Sequence, residues 1–111
     1  MGMTTPLRDR SRVLIAAARA GDDEAIAELV RDVWPGVWRA AFAVSGSREA
    51  AEDATQDALD RAFRDLGRFE SAGHLLVWLR SAAVNRAIDL CRRERARADR
   101  ERIAATDRGE L

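Results

Sequence analysis

Apolar residues recur every three or four positions along most of the 111-residue sequence, and this spacing constrains the fold more than any other feature. The clearest stripe occupies the second quarter of the chain: Ile26, Leu29, Val30, Val33, Val37, Ala41 and Val44. Such steps place the side chains on one side of a helix, and β-branched residues, which favour strands, are scattered. The sequence therefore predicts one all-α domain, a compact bundle of four main helices.

Glycine, proline and capping residues predict the bounds of the first two helices. The first helix is expected from about Arg8 to Ala20, where Gly21 ends it. Asp22 is a suitable N-cap for the second helix, because its carboxylate can accept hydrogen bonds from free backbone amides. Pro35 lies inside that helix and predicts a kink or a short break.

The second half of the chain is predicted to hold the other two helices. Ser47 is the expected cap of a helix over roughly residues 48–66, and a glycine-containing loop follows at residues 67–74. The fourth helix is expected to start near Leu75. Residues 92–111 contain little apolar surface, so they should project from the bundle as a polar helix end held by ion pairs.

Charge is segregated along a chain whose nineteen arginines balance nineteen acids. Residues 1–20 carry four Arg and one Asp, residues 21–70 six Arg and twelve acids, and residues 71–111 nine Arg and six acids. This distribution excludes a uniformly basic nucleic-acid binder, but it is compatible with a polarised one.

Residue types needed for most catalytic chemistry are missing from the sequence. A single Cys91 cannot form an internal disulfide, which favours a reducing cytoplasm. His74 is the only histidine, and we therefore expect neither a catalytic triad nor a histidine-based zinc site. There is no Gly-rich phosphate loop and no apolar run of bilayer length. We therefore expect no enzyme activity, no metal, no cofactor and no membrane insertion.

The third predicted helix has a polar face opposite its apolar one. Its members again follow steps of three and four: Glu49, Glu52, Asp53, Gln56, Asp57, Asp60 and Arg64. Taken alone, this pattern is typical of a helix face exposed to solvent.

Three segments, in this order, resemble the first domain of extracytoplasmic-function (ECF) sigma factors, the small class of bacterial promoter-recognition subunits. They are Gly21–Val30 with Trp34–Pro35; Ser47–Leu59 with Ala62, Phe63 and Leu66; and Trp78–Leu79 with Asn85, Asp89 and Arg92–Arg93. The likeness covers residues 13–97. It implies the region 2 helical fold for residues 8–97, with residues 1–7 as a disordered or tag-derived N-terminus. Residues 98–111 would be a charged helix end or linker toward an absent helix-turn-helix domain.

The resemblance assigns a partner to the polar helix face. In such sigma factors the third helix docks on a coiled coil in the clamp of the largest subunit of core RNA polymerase. The residues at the matching positions are Asp53, Gln56, Asp57, Asp60 and Arg64. An acidic face suits a partner with basic groups, and this favours an interface over a merely solvated surface.

The resemblance also implies that the loop and the fourth helix melt the −10 promoter element and bind its non-template strand. Aromatic side chains would stack on bases and arginines would contact phosphates. The candidates are Arg68, Phe69, His74, Trp78, Arg80, Asn85, Arg86, Arg92 and Arg93.

Several of these residues have an equally simple structural explanation. Trp78 could belong to the core, Phe69 could hold the loop against the bundle, and Asn85 could satisfy a buried polar network. The Asp89 carboxylate would repel DNA, so we expect it to pair with a neighbouring arginine: Arg86, Arg92 or Arg93.

The sequence departs from the family in ways that leave a second function open. Leu75–Val77 replaces the usual aromatic-basic pair, and Ser81 and Val84 stand where the family commonly has arginine. A helix with fewer basic groups suits weaker DNA melting, or an additional partner on this apolar surface. The alternatives are a helical module that binds polymerase or an anti-sigma factor without reading DNA, and a plain helical scaffold.

Overall fold

The computed structural model describes residues 7–110, and it describes side chains from residue 12 onward. It contains four α-helices: α1 (Leu7–Arg19), α2 (Asp23–Ser45), α3 (Arg48–Phe63) and α4 (Ala72–Asp107). No strand occurs in this part of the chain, so the all-α prediction is confirmed. The expectation for residues 1–7 falls outside the described residues, except that Leu7 already belongs to α1.

Two predicted caps set the starts of α2 and α3. The Asp22 carboxylate accepts hydrogen bonds from the backbone amides of Glu24 and Ala25, at 3.0 and 3.2 Å. The Ser47 hydroxyl accepts one from the Ala50 amide at 3.1 Å. Each cap satisfies donors that have no partner inside the helix, and it therefore fixes the point at which the helix begins.

A kink or a short break was expected at Pro35, and the break does not occur, since α2 runs through this residue from Asp23 to Ser45. Pro35 lacks a backbone N–H, which leaves the carbonyl of Arg31 without its intrahelical partner. Both residues lie on the exposed side of α2, where water can hydrogen-bond that carbonyl. Val33 and Val37, on the opposite side, are buried and hold the helix against the bundle.

The link between α3 and α4 lies three residues earlier in the chain than expected. Helix α3 ends at Phe63 rather than at residue 66, and a 3-10 turn follows over Leu66–Arg68. Helix α4 starts at Ala72 and not at residue 75, because the Ser71 hydroxyl accepts a hydrogen bond from the His74 amide at 3.1 Å. His74 therefore lies in the first turn of α4.

Helices α2, α3 and α4 pack on one another, and α1 packs mainly on α2. Between residues 12 and 110, half of the buried apolar residues are alanine. Helix α3 shows this most clearly, since four of its core residues are at most 1% exposed: Ala51, Ala54, Ala58 and Ala62. Small side chains let helices approach closely. In the predicted α2 stripe, Ile26 and Val30 are partly buried and Val44 is 46% exposed. Its buried members are Leu29, Val33, Val37 and Ala41.

The last part of α4 projects from the bundle. The helix has 36 residues, which corresponds to about 54 Å. Its residues from Arg92 to Arg102 are all exposed, and ion pairs of i,i+3 spacing line it, as expected. One of them joins Arg97 to Glu94 at 2.6 Å, and this hydrogen bond raises the pKa of the Arg97 guanidinium. No helix within residues 7–110 is long and apolar enough to cross a membrane.

The alanine-rich packing predicts a strong size limit at the centre of α3. Replacing Ala54, which is fully buried, with Leu should lower the free energy of unfolding by about 1–3 kcal/mol, because the added atoms have no space. The matched change Ala43→Leu, on the exposed side of α2, should alter it by less than about 0.5 kcal/mol. Urea unfolding measures both, and equal values would contradict a size-limited α3 interface.

Candidate functional site

The exposed face of α3 brings together the five residues predicted to bind polymerase. They form one stripe, in which Asp53, Gln56, Asp57 and Asp60 lie along the helix and Arg64 is the C-cap residue that follows it. Asp57 is paired with Arg61, whose guanidinium nitrogen lies 3.9 Å from the carboxylate. Within residues 12–110, the side chains of Asp53, Gln56 and Asp60 have no hydrogen bond or ion pair. The stripe therefore presents acidic and amide groups whose polar atoms are free to bind another molecule.

An open groove of about 460 Å³ lies between α3 and α4. Helix α3 contributes Arg61, and α4 contributes the other lining residues: Trp78, Ser81, Ala82, Asn85, Arg86 and Asp89. Three predicted DNA-binding residues, Trp78, Asn85 and Arg86, thus meet at one site. The packing of the two helices adds Arg61, which the sequence analysis assigned to no site.

Trp78 is the central aromatic residue of this groove. Its ring is half-buried, and two guanidinium groups lie over it: Arg61 at 5.5 Å and Arg68 at 5.0 Å from the ring centroid. These are cation–π distances. On another side the ring contacts the edge of Phe69, with centroids 5.5 Å apart. Trp78 is therefore anchored in the fold and still partly accessible, which combines the two roles considered for it.

Phe69 is buried, in contrast to the stacking role expected for it. Only 1% of the residue is exposed, because its ring lies in edge contact with both His74 and Trp78. In this conformation it cannot offer a ring face to a base, and it holds the loop against α4 instead. His74 is exposed, and its Nδ1 accepts a hydrogen bond from the Glu70 amide at 3.4 Å.

The polar residues along α4 divide into paired and free groups. Asp89 pairs with Arg86 at 3.4 Å and with Arg93 at 3.1 Å, as predicted for two of its three possible partners. Asn85 is exposed and, within residues 12–110, makes no hydrogen bond, so it does not belong to a buried polar network. The Nε of Arg86 is buried and lacks an acceptor among the described residues. The single carboxylate of Asp89 thus pairs with two arginines, so these arginines retain N–H groups that can donate hydrogen bonds to a ligand.

Two predicted DNA-binding arginines lie away from this groove. Arg80 is on the other side of α4, where its guanidinium packs over Gly36 of α2. A methyl group placed at Gly36 would lie only 3.1 Å from the Nη2 atom of Arg80. Its contact with α2 separates it from Trp78. Arg92 lies farther along α4 on the exposed, projecting part of the helix. Among the side chains that the structure describes, residues 12–110, there is also no cluster of metal-ligating groups.

Comparison with known proteins identifies the domain that carries the stripe and the groove. The family model of sigma-70 region 2 matches residues 29–97, a range that includes both features. The chain belongs to the sigma-70 region 2 family. The sequence resemblance is thereby confirmed.

Relatives of this region 2 domain include ECF sigma factors. The chain is 37% identical over 83 residues to the ECF RNA polymerase sigma factor SigM of Mycobacterium tuberculosis, which covers 75% of the chain and 42% of that protein. It is 34% identical over 86 residues to the ECF RNA polymerase sigma factor SigE of Mycolicibacterium smegmatis, and this match covers 72% of the chain and 33% of that protein. The chain thus spans less than half the length of these relatives. No solved structure gives a significant match.

The burial of Phe69 predicts a structural rather than a stacking role. Phe69→Ala should lower the free energy of unfolding by about 3–5 kcal/mol, since it leaves a cavity beside Trp78. Val77→Ala is the control, because Val77 is 65% exposed on the same helix and its truncation should cost less than about 0.5 kcal/mol. Both values come from chemical denaturation. An Ala variant as stable as the unmodified chain would return Phe69 to the list of base-stacking candidates.

Proposed function

We propose that this domain docks on core RNA polymerase through the exposed stripe of α3 and binds the non-template strand of the −10 element at the α3–α4 groove. It would act in the cytoplasm, where polymerase works, as a non-enzymatic specificity subunit. The observation that carries the proposal is the placement of these two surfaces on one small bundle. An acidic face and a cationic, aromatic groove share helix α3, so the domain can contact a protein and DNA at the same time.

The docking surface is supported by its unpaired polar groups. Three of its side chains are exposed and have no partner within residues 12–110: Asp53, Gln56 and Asp60. Basic groups of a coiled coil could therefore bind their oxygen atoms without first breaking an internal contact. Charge complementarity of this kind contributes orientation and association rate more than raw affinity. A rigid helix, capped by Ser47 and packed through alanines, holds the groups in a fixed register.

The strand-binding surface is supported by the chemistry of the groove. Trp78 offers an aromatic surface for base stacking, and the exposed Asn85 amide can hydrogen-bond a base edge or the strand backbone. Arg86 lines the groove and its side chain is 35% exposed, so the accessible part of its guanidinium can donate hydrogen bonds to a phosphate or base oxygen. Arg86 and Arg93 together outweigh the charge of Asp89, and this lowers the repulsion of DNA.

A second function is favoured by the apolar start of α4. Where the resemblance leads us to expect an aromatic-basic pair, Leu75 is buried, Leu76 is partly buried and Val77 is 65% exposed, so only Val77 of this apolar step is available to a protein partner. In this alternative the domain binds polymerase, or an anti-sigma factor, without reading DNA. An anti-sigma factor is also compatible with the main proposal, because it could cover the same surface. Binding to a −10 oligonucleotide separates the two functions.

Docking on polymerase can be tested by truncating polar side chains of the α3 stripe. A variant with Asp53→Ala, Gln56→Ala and Asp57→Ala should lose at least about tenfold in affinity for core polymerase, as expected when several charged contacts are truncated. A control with Asp32→Ala and Glu101→Ala removes the same number of acids from exposed positions elsewhere, and it should bind normally. Pull-down and surface plasmon resonance measure both. Binding by neither the variant nor the unmodified chain would favour a plain helical scaffold.

Strand binding can be tested by its salt dependence. If about four arginines contact phosphates of a single strand, log affinity should fall with log salt at a slope of roughly −3. Replacing Arg92 and Arg93 with Glu should weaken every sequence alike and flatten the slope, whereas changes at Arg68 or His74 should alter base preference. Fluorescence anisotropy with labelled −10 oligonucleotides provides the data. A slope near zero with intact binding would falsify the phosphate contacts.

A further inference from the structure

We infer that Arg61 is a strand-contacting residue of the groove and that Asp57, a residue of the docking stripe, partly neutralises it until polymerase binds. The inference rests on the proposed function and deepens it. It assigns a DNA contact to the docking helix, and it makes one arginine the physical link between the two surfaces.

The position of Arg61 supports the strand contact. It lies on the border of α3 that faces α4, it lines the groove, and its guanidinium is 5.5 Å from the centroid of Trp78. Its side chain is 54% exposed, so it can reach a ligand without leaving the ring. A guanidinium that lies over an aromatic ring can bind a phosphate through its outward N–H groups, while the accessible part of the ring contacts the adjacent base.

The electrostatic surroundings of Arg61 leave its charge largely available. Asp89, the acidic residue that lines the groove, already pairs with Arg86 and Arg93. The partner of Arg61 is Asp57, one helical turn earlier, and their charged atoms are 3.9 Å apart. Both side chains are exposed, and an exposed ion pair at this distance is weak and exchangeable.

Asp57 connects this arginine to docking. Its carboxylate belongs to the stripe proposed to meet basic groups of polymerase, and it is also the group that restrains Arg61. When a basic group of polymerase pairs with Asp57, the positive charge of Arg61 is less neutralised and attracts the strand more strongly. Coupling of this kind is reciprocal, so strand binding should also favour docking.

The test measures binding of a labelled single-stranded −10 oligonucleotide to the whole chain, alone and with core polymerase. Arg61→Ala should weaken binding by about tenfold, as expected for one charge-assisted hydrogen bond, and should reduce the steepness of the salt slope by about 0.7. Arg61→Lys keeps the charge and should preserve the slope. The control Arg39→Ala removes an exposed arginine from α2 and should change neither.

The link through Asp57 is tested with the chain alone. Asp57→Asn should tighten oligonucleotide binding by about two- to fivefold, the range expected for loss of an exposed ion pair. In the Arg61→Ala background the same change should have no effect. An equal gain in both backgrounds would show a general charge effect and overturn the link.

Two other outcomes separate this inference from the proposed function. Normal binding and an unchanged slope in Arg61→Ala, with the unmodified chain binding well, would overturn the role of Arg61 and leave promoter reading intact. An unmodified chain that fails to bind the oligonucleotide even with polymerase would overturn promoter reading and the inference together. Thermal unfolding of each variant should match that of the unmodified chain, because the replaced side chains are exposed or half-exposed.

Discussion

The close contact between the alanine face of α3 and the neighbouring helices determines the geometry of both functional surfaces. Ala51, Ala54, Ala58 and Ala62 leave almost no exposed surface, and they let α3 lie against α2 and α4 together. The groove exists because this contact brings the side chain of Arg61 to the ring of Trp78. A larger residue in α3 would move the helix outward and separate the two groups, even though neither of them is part of the core.

The same packing explains how a short helix serves several purposes. Helix α3 has 16 residues and buries one side, so its opposite side carries polar groups without cost to the core. Arg61 lies on the border between the two sides, in contact with Asp57 of the stripe and Trp78 of the groove. Phe69 completes the arrangement, because its buried ring supports Trp78 from the loop. The binding groups are therefore positioned by apolar contacts.

Local structure follows most directly from the amino-acid sequence. Periodicity predicted the helices, and the side-chain oxygens of Asp22 and Ser47 predicted two helix starts, because a cap acts within three residues. The start of α4 is less evident from the sequence, because Gly73 in the first turn obscures the cap at Ser71. Pro35 predicts a kink or a short break, and the break is absent because the affected carbonyl lies on the exposed side of α2 while Val33 and Val37 are held in the core.

The amino-acid sequence by itself determined the helical class, the family and the stripe of α3, because these depend on spacing within one helix and on motifs in order. Only the tertiary structure decided which residues share the groove. It brought Arg61 to Trp78, turned Arg80 toward Gly36 of α2 and buried Phe69. The physical reason is that the spacing of residues along one helix determines which side chains share a face. What that face contacts depends on how two helices are aligned, and the packing of small side chains sets this alignment.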